Sequence, residues 1–127
     1  MSVVGIGTDI INISRIENMS AQAKSRLVKR ILTPAEVTQY QQKKQQNAFL
    51  AKRWAAKEAA AKALGKGIAD GISFQHIEIS SLASGQPVLT LTARALEIAK
   101  QLGANYWHVS IADEAQYATA FVILSQK

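Results

Sequence analysis

Asp9 and Glu58 are the two acids whose surroundings give them chemical interest. Asp9 interrupts the apolar run "VVGIGTDII", and Glu58 is the only acid in "AAKEAAAKALGKG", residues 55–67. A carboxylate at the end of a buried-strand pattern is paired, bound to a metal or at the strand's wet end, because an unpaired charge in an apolar setting is costly. Two carboxylates are hard oxygen donors of the kind Mg²⁺ takes, the rest of its shell coming from water and from a phosphorylated substrate. Nothing in their separation along the chain shows that they meet. Glu58 and Lys62 are neighbours at i and i+4 on a helix, a pair that stabilises an isolated helix by only about 0.2–0.5 kcal/mol. Ala51, Ala55 and Ala59 carry short side chains around them, which predicts clearance for another molecule to approach. Alanine is also the best helix former, so an ordinary surface helix is the competing reading.

Other residues offer less. Gly65 fits the position after a helix end, and Lys66 between Gly65 and Gly67 could meet phosphates. The loop follows a helix, however, and lacks the pattern of a phosphate loop that precedes one, so a plain cap and turn is the simpler expectation. His76 and His108 fall in separate strand-like segments, and with no cysteine in the chain a zinc site or a thiol nucleophile is not expected. Ser110 has no nucleophile-elbow context. Trp54 and Trp107 read as packing residues.

These side chains need a frame. A chain of 127 residues with 48% hydrophobic and 19% charged residues suits one compact domain spanning 1–127. It has no long apolar run and no secretory leader pattern, so a cytoplasmic protein with no membrane partner is expected. A net charge of +6 attracts polyanions or acidic partners, while an aromatic fraction of 6% leaves few stacking platforms for single-stranded RNA.

The opening run predicts a buried strand in which Gly5 and Gly7 permit close backbone approach. A helix is expected from Ser20 through "SAQAKSRLVKRIL". Thr33, Pro34 and Glu36 mark the start of another that runs to about Lys43. Asn47 is the expected cap of a helix over 48–64, with Leu50, Trp54, Ala61 and Leu64 on its core stripe. "FQHIEIS" and "PVLTLT" predict a hairpin, Thr92 a cap for a helix ending at Gly103, and "YWHVSIA" and "YATAFVILS" a second strand pair across the turn "DEAQ". Helices concentrated early and strands late predict an α+β fold with an antiparallel sheet and packed helices.

"GIGTDIINISRIE", "FLAKRWAAKEAAAKALGKGI" and the tail "HVSIADEAQYATAFVI" together resemble the signature of the holo-[acyl-carrier-protein] synthases, the small 4'-phosphopantetheinyl transferases. The resemblance covers nearly the whole chain. It implies that the 4'-phosphopantetheine arm of coenzyme A passes to a serine of apo acyl carrier protein, in fatty acid biosynthesis, releasing adenosine 3',5'-bisphosphate. Asp9 and Glu58 then correspond to Mg²⁺ ligands, with Lys62 at the same phosphates. Arg53, Gly65 and Lys66 match positions near bound coenzyme A, and Pro87, His108 and Ser110 match more loosely. Arg15 matches an arginine facing the carrier protein, and Lys24, Arg26, Lys29 and Arg30 become docking charges. The resemblance further implies a homotrimer with active sites between subunits, and leaves the acceptor of the serine proton open among Glu58, Lys62 and a water. Where many relatives have Ser-His or Thr-His after the "HVS" strand, this chain has Ala112, Asp113 and Glu114, so no histidine role transfers there. The reading from another class is a non-catalytic basic RNA-binding module, which explains the charge but not the two acids.

Overall fold

The first helices begin where a side-chain oxygen can take up a free backbone N–H. The computed structural model describes residues 2–127. After strand β1 (Ser2–Asn12) and a short α1 (Ser14–Glu17), Ser20 caps α2 (Ala21–Ile31) by accepting from the Ala23 N–H. Thr33 caps α3 (Pro34–Gln42) in a reciprocal box with Glu36. Helix α4 (Gln46–Ala63) follows, then the hairpin β2 (Ile77–Ser81) and β3 (Pro87–Leu91), helix α5 (Ala93–Gln101), and strands β4 (Tyr106–Glu114) and β5 (Tyr117–Gln126).

All pairing is antiparallel: a three-stranded sheet ordered β1–β5–β4 and a separate β2–β3 ribbon, with α4 packed on the larger sheet. The α+β expectation holds. Local boundaries differ from those read in the sequence. Helix α4 starts one residue before Asn47 and has no side-chain cap, and Thr92 makes no capping hydrogen bond. "FQH" is a 3₁₀ turn in which the Ser73 hydroxyl accepts from the Gln75 N–H and His76 Nδ1 accepts from the Ser73 N–H. Asp113 and Glu114 continue β4, so the last turn shrinks to Ala115 and Gln116, with Ala115 at φ 52°.

The opening strand is also not buried on both sides. It lies at the sheet edge, and Val3, Ile6 and Ile10 are 63%, 59% and 62% exposed on the face away from the core. The opposite face explains the glycines. A Cβ on Gly7 would collide with the Ala59 carbonyl oxygen and come within 2.7 Å of the Ala63 nitrogen, and one on Gly5 would strike the Ala63 carbonyl. Backbone lies directly against backbone here. Ala51, Ala55 and Ala59 are all fully buried. The predicted clearance therefore exists, but the sheet fills it, not a ligand. Gly7→Ala is expected to destabilise the fold by about 1–3 kcal/mol, since the obstructing atoms are main chain and cannot swing aside. Urea unfolding measures this; an unchanged midpoint would contradict the close approach.

Helix α4 is enclosed on almost every side, and one of its enclosed residues is a lysine. Lys57 is fully buried, and its ammonium donates to the Ile31 carbonyl at 2.6 Å, to Glu36 Oε1 at 2.5 Å and to the Phe74 carbonyl at 3.2 Å. Glu36 also accepts from the Thr33 N–H on Oε1 and from the Ile79 N–H on Oε2, both at 2.8 Å. One ion pair thus ties α4 to the end of α2, the start of α3, the 3₁₀ turn and β2. Burial pulls the Lys57 ammonium below its ordinary pKa, and Glu36 opposes that pull.

Candidate active site

Sheet alternation puts Asp9 on the same face as Gly7 and Ile11, toward α4. The close approach at Gly7 then brings α4 near enough for Lys62 Nζ to reach Asp9 Oδ1 at 2.9 Å and the Thr8 carbonyl at 3.2 Å. Glu58 lies one helical turn before Lys62. The fold therefore does what the spacing could not, and gathers Asp9, Glu58 and Lys62 at one edge of the sheet. Burial raises the Glu58 pKa above the usual glutamate value and the Asp9 charge raises it further, while Lys62, a hydrogen bond from Trp54 and Arg30 act in the opposite direction.

Asp9 Oδ2 is buried and has no hydrogen-bond partner. A buried oxygen with two free lone pairs is an unfinished arrangement, because most such atoms in folded proteins are satisfied. Two carboxylates beside a lysine fit a hard divalent cation that draws its remaining ligands from water and phosphate. Among the described residues no three acids or histidines gather into a larger metal cluster, so a cation here relies on those outside donors.

A second polar locus lies on the other flank of α4. Arg53, only 7% exposed, stacks at 4.6 Å over the Phe49 ring and donates to Gln39 at 3.4 Å. Its Nε is buried without a partner. Burial lowers its pKa and Glu36 partly offsets this. With Lys43, Lys52, Pro87 and Asp113 it lines a cavity of about 190 Å³. Arg53 and Glu58 project roughly 140° apart at about 100° per residue, so the helix itself separates the two loci.

The remaining candidates spread out. Lys66 pairs with Asp70 at 3.4 Å on the surface beyond Gly65, which takes the φ of 81° expected of a residue after a helix end. His108 and Ser110 pair across β5 with Ile123 and Phe121, on the sheet face opposite Asp9. Within one subunit the fold does not bring them to the carboxylates. Arg15 stacks on Trp54 at 4.7 Å, and Arg30, over Phe74 at 5.6 Å, acts on Glu58 through its charge. Lys24 and Lys29 instead flank a groove with Val28, Val37 and Tyr40 between α2 and α3, and Arg26 is exposed on α2. The docking charges are thus split between two faces.

A family model of the 4'-phosphopantetheinyl transferase superfamily matches residues 5–122. The chain belongs to that superfamily. A curated relative in Photorhabdus laumondii, a holo-[acyl-carrier-protein] synthase, is 50% identical over 126 residues, which is 99% of this chain and 100% of the relative. The crystal structure of the Neisseria meningitidis holo-[acyl-carrier-protein] synthase superposes with a TM-score of 0.89 at 36% identity, covering 98% of this chain and 100% of that one. A Bacillus anthracis holo-(acyl-carrier-protein) synthase in complex with CoA (3',5'-ADP) gives 0.81 at 33% identity, covering 98% of each. The chain is therefore an enzyme of the phosphopantetheinyl transferases, and the RNA-binding alternative is set aside. No helix of the described residues is long and apolar enough to cross a membrane.

Lys57 and Glu36 are the residues that sequence reasoning missed. The signal was present: Lys57 is seven residues after Leu50 and four before Ala61, on the core stripe. A charge on an apolar stripe needs a buried partner, and Glu36 is the acid of the capping box.

Proposed function

We propose that this enzyme transfers 4'-phosphopantetheine from coenzyme A to a serine of apo acyl carrier protein, releasing adenosine 3',5'-bisphosphate, with Mg²⁺ held by Asp9 and Glu58. The observation that carries this reading is the convergence of two acids and Lys62 around a buried, unpartnered carboxylate oxygen. The bound cation would supply charge neutralisation at a diphosphate, the largest single need in phosphoryl transfer. In the reaction the serine oxygen forms a bond to the phosphorus next to the pantetheine arm, the bond from that phosphorus to its bridging oxygen breaks so that the bisphosphate leaves with that oxygen and the electron pair, and the serine proton passes to Glu58 or to a water. Lys62, with its side chain half exposed, turns its ammonium to the same phosphates and spreads their charge. The cytoplasm and fatty acid biosynthesis form the setting of this reading.

A homotrimer with active sites between subunits belongs to the same proposal. Ile6, Ile10 and Phe121 leave an apolar outer sheet face exposed, which a monomer has little reason to keep. The Arg53 cavity lies across α4 from Asp9 and Glu58, so a long nucleotide touching both kinds of locus is best served by two neighbouring copies. His108 and Ser110, on that outer face, then line the junction.

Incubating apo carrier protein with this enzyme, coenzyme A and Mg²⁺, and reading the intact mass, tests the reaction. The carrier is expected to gain the mass of the arm, and EDTA to stop the gain; no gain with Mg²⁺ present would refute the assignment. Arg15→Glu, which reverses a charge beside Trp54, is expected to raise the apparent KM for carrier protein far more than that for coenzyme A. Steady-state kinetics with each substrate varied in turn checks this, and equal effects on both would remove Arg15 from docking.

A further inference from the structure

The Arg53 cavity contains a negative charge that a plain phosphate cradle would not need. Lys43, Lys52 and Arg53 supply three cations, and Asp113 enters from β4, its Oδ1 3.8 Å from Lys52 Nζ. Arg53 is more than nine-tenths buried, and its Nε lacks a partner. Such a group selects an anion. Asp113 opposes that selection twice, by holding one of the three cations and by repelling any dianion that enters. Both members of the Lys52–Asp113 pair keep about a third or more of their side chains exposed, at 34% and 42%, so the pair contributes little to folding.

We propose that Asp113 is a specificity-determining residue that weakens this cavity's preference for a nucleotide bearing a ribose phosphate. The inference rests on the reading above, in which the cavity receives the nucleotide end of coenzyme A. A phosphate on the ribose gains Lys43, Lys52 and Arg53 and meets Asp113. The same nucleotide without that phosphate meets neither the gain nor the repulsion. Asp113 thereby narrows the gap in affinity between the two, and lets a product that carries the phosphate leave sooner.

The test is calorimetric titration of coenzyme A and of 3'-dephospho-coenzyme A into the unaltered protein, Asp113→Asn and Lys52→Gln, all in Mg²⁺ buffer, with circular dichroism confirming the fold of each. Asp113→Asn is expected to widen the affinity ratio of coenzyme A over its dephospho form by about three- to tenfold, the scale of one partly screened charge near a dianion. Lys52→Gln is expected to narrow it. An unchanged or narrowed ratio in Asp113→Asn overturns the inference while leaving the functional reading in place. Failure of the unaltered protein to bind coenzyme A saturably overturns both.

Discussion

Asp9→Ala and Glu58→Ala are each expected to reduce the transfer rate on the order of 10²–10³-fold or more, the loss that follows removal of a group aimed at developing charge. The fold should survive. Asp9 Oδ2 makes no hydrogen bond, and Oδ1 engages only Lys62, whose side chain is half exposed, so folding draws little from this carboxylate. The measurement pairs turnover at saturating Mg²⁺ with thermal melting of the same preparations. Normal turnover in either variant would remove that acid from the reaction. A melting temperature that collapses would instead give it a structural role. Asp9→Asn sharpens the result: it keeps the shape and the contact to Lys62 but loses the charge, and it should resemble the alanine variant in rate.

Lys57→Met has the largest effect expected on stability. It leaves Glu36 enclosed with no cation in contact and only the more distant charge of Arg53, and breaking a buried pair by removing one partner costs about 3–5 kcal/mol. Against a total stability of about 5–15 kcal/mol, that is enough to populate unfolded protein at moderate temperature. The double variant Lys57→Met with Glu36→Gln removes both charges and keeps an acceptor for one of the Thr33 and Ile79 amides, so it should recover much of the loss. Urea unfolding of the single and double variants closes the cycle. If the single variant unfolds at the same midpoint as the parent, the pair is not the clamp that its hydrogen bonds describe.

The gross architecture was legible because caps and alternation are local. Thr33 with Glu36 and the alternating segments of β2 to β5 act within a few residues of themselves and were readable, whereas Asn47 and Thr92, read as caps by the same local rule, make no capping hydrogen bond. Long-range contacts were less legible. Alanines 51, 55 and 59 carry the same signal whether a ligand or a strand lies against them, and only the collision that a Cβ on Gly7 would suffer distinguishes the two. β1 reads as doubly buried because its outer face is apolar, a property suited to another protein surface as well as to a core. Asp9 and Glu58 were visible as unusual acids, but their meeting depends on how closely a helix can approach an edge strand. The face of the sheet that His108 and Ser110 occupy follows from pairing register, which no motif reports.

Glu58 follows directly after Lys57 in the chain, and this adjacency bears on motion. Any slide or rotation of α4 that moved Glu58 would have to tear the Lys57 ammonium from three oxygens on separate elements. Amide hydrogens in this stretch should therefore exchange with solvent only through opening of the whole molecule, among the slowest in the protein. Whatever rearranges when substrates arrive must do so around a helix that stays still.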